Sequence, residues 1–483
     1  MEIEIEHNHM IENLNNIDLN HRGIKLFPWP TEYDRSYRPL ESASYWCPEI
    51  EKADKNTLDN IIFFKLKNIV SWAWEKSTFY KNKWKEAGVH PDILKDLSDF
   101  SKFPIVHKSD LRLSQEASPP FGDYLCVPEE EIARVHGTSG TTGKPTLFGI
   151  GRGDMERIAE AHARILWGAG LRPTDTVFIG SFFSLYWGSW GALVGCERLG
   201  AKVIPFGAGI PGQTAVAAKL IARVKPTCFY GTPSYAFRLA EVAKKEGFDP
   251  RRDFSFRIMF FSGEPGAGIS STKKQLENIF GAKVIDMGST AEMTPWMTNA
   301  ECEYRTGMHL WQDIVYTEVC DAKNFKPVPF GSEGTPVYTH LERTSQPMIR
   351  FVSGDLTVWT NEPCPCGRSY PRLPKGIYGR IDDMIIVRGV NLYPNAIEDI
   401  LRSIPGVGNE YRVVVSKNGS MDELKLLVEH EGTSDFDVLV SLKNKIAEKI
   451  QIMAGLRPTV EIVEPNSLPR TEFKSKRVMD YRK

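Results

Sequence analysis

Short apolar runs alternate with stretches of helical periodicity through the middle of this chain, between about residues 130 and 300. Apolar residues at helical spacing occupy 154–168 and 234–246. The alternation predicts a layered α/β domain with a largely parallel sheet, whose ligands bind at the loops beyond the carboxyl ends of the strands. The predicted strands lie at 176–179, 202–205, 228–230, 257–261 and 283–287.

The pattern differs on either side of this region. Upstream, apolar residues from Ile61 to Ala73 recur at helical spacing and predict a long amphipathic helix. From about residue 382, a strand, a helix, two strands around an Asn-Gly turn, a helix and a strand follow one another. A β-α-β-β-α-β series of this length forms a small domain. The prediction is a large amino-terminal domain over 1–381 and a small α+β domain over 382–483.

Composition and charge exclude several classes of function. A formal net charge of −1 gives no electrostatic reason to expect nucleic acid or an anionic membrane as partner. Eight cysteines are too sparse for a disulfide scaffold, and the acidic amino terminus lacks the apolar core of a signal peptide. A reducing cytoplasm is therefore predicted. The 21 uncharged residues at 176–196 are long enough to cross a bilayer, but four glycines and a β-type start favour a buried strand, turn and helix.

The segment most informative about chemistry is a loop in which glycines alternate with hydroxyl side chains, at 136–146. Its backbone N–H groups, its hydroxyls and one lysine are donors for a polyphosphate. The loop does not fit the kinase-type pattern G-x-x-x-x-G-K-[ST], because Thr138 takes the first glycine position and Pro145 follows Lys144. A linker of small polar residues is the alternative. The predicted phosphate-binding residues are Thr138, Ser139, Gly140, Thr141, Thr142, Gly143 and Lys144.

The string T-S-G-T-T-G-K-P at 138–145 resembles the phosphate loop of the adenylate-forming enzymes, which activate carboxylates with ATP. The resemblance spans nearly the whole chain. The segments at 231–236, 364–368 and 388–394 look like the phenylacetate–CoA ligase branch, whose members join a carboxylic acid, often aromatic, to coenzyme A. The resemblance implies the reaction acid + ATP + CoA → acyl-CoA + AMP + pyrophosphate through an acyl-adenylate. ATP, Mg²⁺ and CoA are the implied ligands.

The resemblance also implies roles for motifs after the loop. The turn Ser262-Gly263-Glu264-Pro265 is similar to the adenine-stacking turn of the family, and Asp355 ends an R-x-x-x-G-D motif that binds ribose. Ser289, Thr290 and Glu292 resemble the aromatic-G-x-T/S-E motif, with Glu292 as the Mg²⁺ ligand. The chain departs here from the usual pattern, because Met287 replaces the aromatic residue and Ala291 is inserted before the acid.

The implied catalytic machinery continues into the small domain. Arg380 would meet the ribose or phosphate, and Asp382 resembles the hinge about which the small domain rotates. Arg388 and Gly389 would line the thiol tunnel of CoA. Lys474 matches the lysine that contacts the carboxylate and α-phosphate, although Phe473 stands where glycine is usual. By composition alone, a solvated basic tail is the favoured interpretation of this segment, and the order of the motifs reverses that preference.

The acid would bind among residues of the large domain, although core packing is the alternative for each aromatic side chain. Two sizes of acid are open: an aryl ring stacked on these aromatics, or a short branched or hydroxy acid in a pocket shortened by Trp187. Family frequency favours an aryl or arylacetic acid. The candidate pocket residues are Phe183, Tyr186, Trp187, Phe206, Gly207 and Tyr235.

Three cysteines and a histidine form a candidate metal set, namely Cys302, His309, Cys364 and Cys366. Three thiolates and an imidazole are a closed tetrahedral set for structural Zn²⁺, and some members of the branch carry such a site. Buried cysteines without a metal are the alternative. Two rival functions share most motifs: an adenylation module that loads a carrier protein, and an inactive nucleotide sensor. The oligomeric state stays open, with a homodimer among the alternatives.

Overall fold

The computed structural model describes residues 19–138, 145–185, 187–208, 210, 212–293, 297–381, 384–388, 390–418, 421–432, 435–470 and 477–482. The chain forms two compact units. The first unit comprises 1–207 and 285–376, and the second comprises 208–284 and 377–483. The second unit thus adds 208–284 to the carboxyl-terminal part of the chain, and the predicted domain boundary between 381 and 382 stays a prediction.

The helices of the first unit include the amphipathic helix predicted upstream. Lys55–Lys76 begins where the Asp54 carboxylate accepts a hydrogen bond of 2.9 Å from the Thr57 amide, and its apolar face from Ile61 to Ala73 is buried. The α-helices of this unit are Pro48–Glu51, Lys55–Lys76, Thr78–Glu86, Lys108–Ala117, Arg152–Gly168 and Gly188–Leu199. Short 3-10 helices lie at Asn20–Arg22, Pro91–Ile93, Leu97–Lys102 and Glu129–Glu131.

The described strands of the first unit form five groups. One is a parallel pair, Thr176–Gly180 with Lys202–Ile204, and two are antiparallel hairpins, Ile24–Lys25 with Glu32–Tyr33 and Ile132–Gly137 with Leu147–Gly151. The remaining strands pair with one another in antiparallel orientation, so the largely parallel pairing that the sequence predicts does not continue beyond about residue 283. Lys283–Gly288, Asn299–Glu301, Met308–Leu310 and Arg372–Leu373 form one series, and Val315–Cys320, Glu333–His340, Phe351–Val352 and Asp355–Val358 form the other.

The second unit contains a second parallel pair, Cys228–Gly231 with Ile258–Phe261. Around this pair lie four helices, Gln213–Val224, Pro233–Lys245, Pro250–Asp253 and Ser270–Phe280. All five strands predicted between residues 130 and 300 are therefore present, within one residue of the predicted bounds.

The carboxyl-terminal part of the second unit confirms the predicted β-α-β-β-α-β series. Its helices bury apolar residues such as Ile397 and Ile446 against Val413 and Leu426 of the sheet. The sheet order is Thr459–Val463, Met421–His430, Val407–Asn418 and Val478–Asp480, and the last of these strands was not predicted. The other elements are Gly379–Arg380, Ile385–Val387, Val390–Leu392, Pro394–Arg402 and Phe436–Ala454.

The uncharged stretch at 176–196 folds as predicted. It supplies the strand Thr176–Gly180 and most of the helix Gly188–Leu199, which ends at Gly200 in the left-handed conformation with φ 100°. In the part of the chain that the structure describes, no helix has the length and apolar character needed to span a bilayer.

Candidate active site

A hairpin holds both ends of the predicted phosphate loop. The Thr138 amide donates to the Thr146 carbonyl at 3.0 Å, and the Thr146 amide donates to the Thr138 hydroxyl at 3.1 Å. Gly137 permits this close approach, since a Cβ there would lie 2.9 Å from the Thr146 carbonyl oxygen. The two ends of the loop, Thr138 and Thr146, are thus held together by backbone geometry. Residues 139–144, which contain six of the seven predicted phosphate ligands, lie outside the described residues.

Glu292, the predicted Mg²⁺ ligand, already holds a cation. Its buried carboxylate lies 2.5 Å from the ammonium nitrogen of Lys108, the first residue of the helix Lys108–Ala117. No motif in the sequence around Lys108 identifies this residue as part of the site. A carboxylate that binds an ammonium group also suits Mg²⁺, whose usual ligands are one or two carboxylates, phosphate oxygens and waters.

A buried histidine fixes the turn that carries Glu292. The Met348 amide donates to Nδ1 of His340 at 3.0 Å, so the ring proton is on Nε2, which donates to the Met293 carbonyl at 2.9 Å. Burial lowers the pKa of His340 to about 3, and the ring is therefore neutral. This contact anchors the residue after Glu292 and accommodates the inserted Ala291. The neighbouring Ser289 and Thr290 are joined by a 3.3 Å bond between the Ser289 hydroxyl and the Thr290 carbonyl.

The two charged residues of the R-x-x-x-G-D motif have different roles. Arg350 is buried and forms a bidentate ion pair with Glu318, at 2.9 and 3.2 Å. Asp355 is also buried, and its amide donates to the Ser353 hydroxyl at 3.1 Å. Burial and the charge of Asp355 raise the pKa of the Tyr338 phenol. Arg350 therefore has a structural role, whereas Asp355 is the residue of the motif that is suited to bind ribose hydroxyls.

In the second unit, the predicted adenine turn carries a structural carboxylate. Glu264 accepts a 2.7 Å hydrogen bond from the Ser234 amide at the start of the helix Pro233–Lys245. Burial raises the pKa of Glu264, and the charge of Arg477 opposes this effect. The carboxylate therefore binds a backbone amide at the start of a helix. The backbone of the turn, in which Gly263 has φ 95°, remains the candidate surface for stacking of the adenine. Ser262 is half-buried and Pro265 is exposed.

Several candidate acid-pocket residues lie in the first unit. Trp187 is buried, and its indole meets the His136 ring edge-on, with centroids 4.4 Å apart. A Cβ on Gly191 would lie 2.5 Å from the indole nitrogen, so this glycine makes room for the indole. Burial lowers the pKa of His136 to about 4. Elsewhere, Phe183 packs on Trp190, Phe206 stacks on Phe178, and Gly207 donates to the Ile179 carbonyl.

The other predicted residues are placed as follows. In the second unit, Tyr235 is buried and stacks on Phe229. Arg380 is half-buried in the strand Gly379–Arg380, and Arg388, with φ 50°, donates to the Asp422 carbonyl at 2.8 Å. Tyr186, Asp382, Gly389 and Lys474 lie outside the described residues.

The candidate metal set is brought together in the first unit. Cys302, His309, Cys364 and Cys366 are buried, and their four ligand atoms lie within 4.8 Å of one another. The Cys302 and Cys364 sulfurs are 3.7 Å apart, and the Cys366 sulfur is 3.4 Å from Nε2 of His309. Two ligands at the Zn–S distance of about 2.3 Å in a tetrahedron are about 3.8 Å apart. The spacing thus fits a single Zn²⁺ and excludes an S–S bond between Cys302 and Cys364.

Comparison with known proteins is consistent with this geometry. The family described as AMP-binding enzyme matches residues 82–338, and that described as AMP-binding enzyme C-terminal domain matches 389–482. A phenylacetate–coenzyme A ligase of Thermus thermophilus is 36% identical over 453 residues, covering 90% of this chain and 99% of the relative.

Solved structures of a 2-hydroxyisobutyryl-CoA ligase are similar over a still larger share of this chain. In its postadenylation state with 2-HIB-AMP, this ligase is 52% identical, with a TM-score of 0.92 and coverage of 95% of this chain and 97% of its own. With 2-HIB-AMP and CoA in the thioesterification state, the identity and the coverages are the same and the TM-score is 0.74.

The neutral, buried His340 predicts a pH dependence of stability. The unfolded state binds a proton near the ordinary histidine pKa of about 6.5, whereas the folded state does so only near pH 3. Stability should therefore fall as the pH drops below 6.5, by about 1.4 kcal/mol per pH unit for this residue. Urea unfolding between pH 7 and 5 measures the slope, which should be smaller in His340→Asn. Equal slopes in the two proteins would contradict a neutral buried ring.

Proposed function

The chain belongs to the AMP-binding enzyme family, and on that premise we propose that it is an AMP-forming carboxylic acid–CoA ligase. The reaction is acid + ATP + CoA → acyl-CoA + AMP + pyrophosphate. The observation that carries the proposal is the order of family motifs from the loop at 138–144 through Glu292 and Asp355, over a chain that aligns with a relative along 90% of its length.

The residues of the site support the two halves of this reaction. In the first half, the loop and Lys474 would hold the phosphates of ATP, Asp355 the ribose hydroxyls, and Glu292 a Mg²⁺ ion on the phosphates. A carboxylate oxygen of the acid attacks the α-phosphate and pyrophosphate leaves, which is a reaction catalysed chiefly by positioning and electrostatics. In the second half, rotation about Asp382 would bring Arg388 and Gly389 to the site, and the CoA thiol attacks the acyl-adenylate and releases AMP.

Formation of AMP with a panel of acids tests the proposal. Purified protein with ATP, Mg²⁺ and free CoA should convert at least one carboxylic acid to its CoA thioester. Turnover with a carrier protein but not with free CoA would support the alternative of an adenylation module that loads a carrier protein. Absence of acid-dependent pyrophosphate exchange with every acid would support the inactive nucleotide sensor.

We propose a short branched or hydroxy acid as the preferred substrate, with aryl and arylacetic acids as the alternative. The identity of 51–52% to the 2-hydroxyisobutyryl-CoA ligase exceeds the 32–36% to the phenylacetate–CoA ligases. The enclosed position of Trp187 against His136 also supports a short acid, because an indole there occupies volume that an aryl ring would need.

Trp187→Ala should therefore widen the range of acids toward aryl substrates. The ratio of kcat/KM for phenylacetate to that for 2-hydroxyisobutyrate should rise by about 10–100-fold, as expected when a pocket gains the volume of a ring. Initial rates of AMP formation with the two acids give this ratio. Trp359→Ala is the control, because that indole packs on Phe330 and hydrogen-bonds the carbonyls of Val328 and Pro329. An unchanged ratio in Trp187→Ala would remove this residue from the pocket.

The state that the structure describes is proposed to belong to the first half-reaction. The same ligase matches with a TM-score of 0.92 in its postadenylation state and 0.74 in its thioesterification state, at equal identity and coverage. The difference supports assignment of the contacts within the second unit to an adenylation-type state.

Lys474→Ala should abolish adenylation selectively. Loss of one positioned charge at a phosphoryl centre lowers the rate by on the order of 10²–10³-fold. Acid-dependent pyrophosphate exchange should fall by this factor, while thioester formation from supplied acyl-adenylate and CoA should be retained. Normal exchange in the variant would exclude Lys474 from the mechanism.

We propose that Cys302, His309, Cys364 and Cys366 hold a structural Zn²⁺ in a reducing compartment such as the cytoplasm. The separations fit a tetrahedral site, and all eight cysteines of the chain are buried and outside disulfide bonds. A closed set of four protein ligands has no position for substrate, and its role is therefore structural.

Cys364→Ala should lower zinc content and thermal stability together. Zinc per chain, measured by mass spectrometry of the metal, should fall from about one to near zero, and the melting temperature should fall with it. Cys320→Ala is the control, because Cys320 is equally buried but lies outside the cluster. Wild-type protein purified without chelators and found free of zinc would contradict the site.

A further inference from the structure

One face of the helix Pro233–Lys245 carries a carboxylate that two carboxyl-terminal residues approach within the second unit. Oε1 of Glu241 accepts a 2.9 Å hydrogen bond from the side-chain amide of Asn409. Oε2 of Glu241 lies 3.7 Å from Nε of Arg470, and each of these two side chains is less than one-fifth exposed. A pair at this depth is screened less than a surface ion pair.

The same helix face binds a second arginine one turn earlier. The guanidinium of Arg402 lies over the Phe237 ring, 4.8 Å from its centroid. Phe237 and Glu241 are four residues apart and therefore share a face of the helix. On the neighbouring helix Ser270–Phe280, the Ser271 hydroxyl bonds the Asp399 carboxylate at 2.6 Å. The carboxyl-terminal residues 399–470 are thus attached to this helix pair by polar and cation–π contacts.

Arg470 immediately precedes the segment that contains Lys474. Its guanidinium binds Glu429 at 2.7 Å, and the Arg412 guanidinium holds the preceding Pro469 carbonyl at 2.6 Å. Arg477, on the far side of that segment, binds Glu398 at 2.8 Å. Both ends of the Lys474 segment are therefore fixed to the small domain, and only Arg470 adds a contact to Glu241.

We propose that Glu241 is a positioning residue for adenylation, which acts through Asn409 and through Arg470, four residues before Lys474 in the sequence. The proposal rests on the proposed ligase function. Rotation of the carboxyl-terminal domain for the second half-reaction breaks these contacts, so Glu241 favours one half-reaction only. Glu241 acts through Arg470 and Asn409 and touches no substrate.

The structure also indicates that the substitution is tolerated. When Glu241 is removed, Arg470 keeps its ion pair with Glu429, and Arg238, which lies 3.7 Å from Oε2 of Glu241, is about one-quarter exposed and can be solvated. Glu241→Gln retains an oxygen for the Asn409 amide and removes only the charge. Glu241→Ala removes both contacts and also the ion pair with Arg238 on the same helix. The pair of variants therefore separates the hydrogen bond from the ion pair.

The experiment compares the two half-reactions in purified full-length protein. Glu241→Ala should lower kcat of acid-dependent pyrophosphate exchange by about three- to tenfold, the size expected for one partly buried pair, with KM for ATP nearly unchanged. Glu241→Gln should fall between this variant and wild type. Thioester formation from supplied acyl-adenylate and CoA should be unchanged or faster in both variants.

Glu246→Ala is the matched control. This carboxylate lies at the end of the same helix but pairs with Lys219 at 2.7 Å, and both half-reactions should be unaffected. Equal loss of both half-reactions in Glu241→Ala, or loss of neither, would overturn the proposal. Failure of the ligase function is distinguishable, because wild-type protein would then show no pyrophosphate exchange with any acid.

Discussion

The buried ion pair between Arg350 and Glu318 determines the placement of several parts of the candidate site. Burial raises the pKa of Glu318, and the charge of Arg350 opposes that effect. Nη1 of Arg350 donates to the carbonyls of Ser101 and Phe103, and Nη2 donates to the Phe325 carbonyl as well as to Glu318. Such a pair adds little net stability, but loss of one partner typically costs about 3–5 kcal/mol because a buried charge is left alone. The pair therefore holds three distant chain segments in one arrangement.

The backbone around Arg350 transmits this arrangement to the nucleotide site. The Val106 amide donates to the Arg350 carbonyl at 2.9 Å, and the Val352 amide donates to the Val106 carbonyl at 3.0 Å. Lys108 follows Val106 by two residues, and Asp355 follows Val352 by three. Because both segments are bound to the same arginine, Lys108 reaches Glu292 from an element remote in sequence. Arg350 thus has a structural role, whereas the aspartate of the same motif is the candidate ribose-binding residue.

The parts that the sequence predicts are those that depend on local patterns. The five strands predicted between 130 and 300 are all present, because short apolar runs and intervening helical periodicity are local properties, whereas the hairpin strands Ile132–Gly137 and Leu147–Gly151 were not predicted. Lys108 and His340 were not identified, since their partners Glu292 and Met293 are far away in sequence and neither residue lies in a motif. The strand Val478–Asp480 was missed because three residues carry no periodicity. Glu264 belongs to a recognisable motif, yet its role as a helix cap follows only from the tertiary contact with Ser234.

The contacts of Glu241 meet a constraint that any rotating domain imposes on its interface. An interface held by a large apolar area would stabilise one state by too much for repeated release, since even 5.5 kcal/mol shifts a two-state equilibrium from 1:99 to 99:1. The contacts named above between this helix pair and residues 399–470 are two hydrogen bonds, one ion pair and one cation–π contact. Arg470 and Arg402 also keep carboxylate partners within their own domain, Glu429 and Glu398. In the proposed rotation, release would leave neither arginine unpaired, which would keep the energy difference between the two states small enough for both half-reactions.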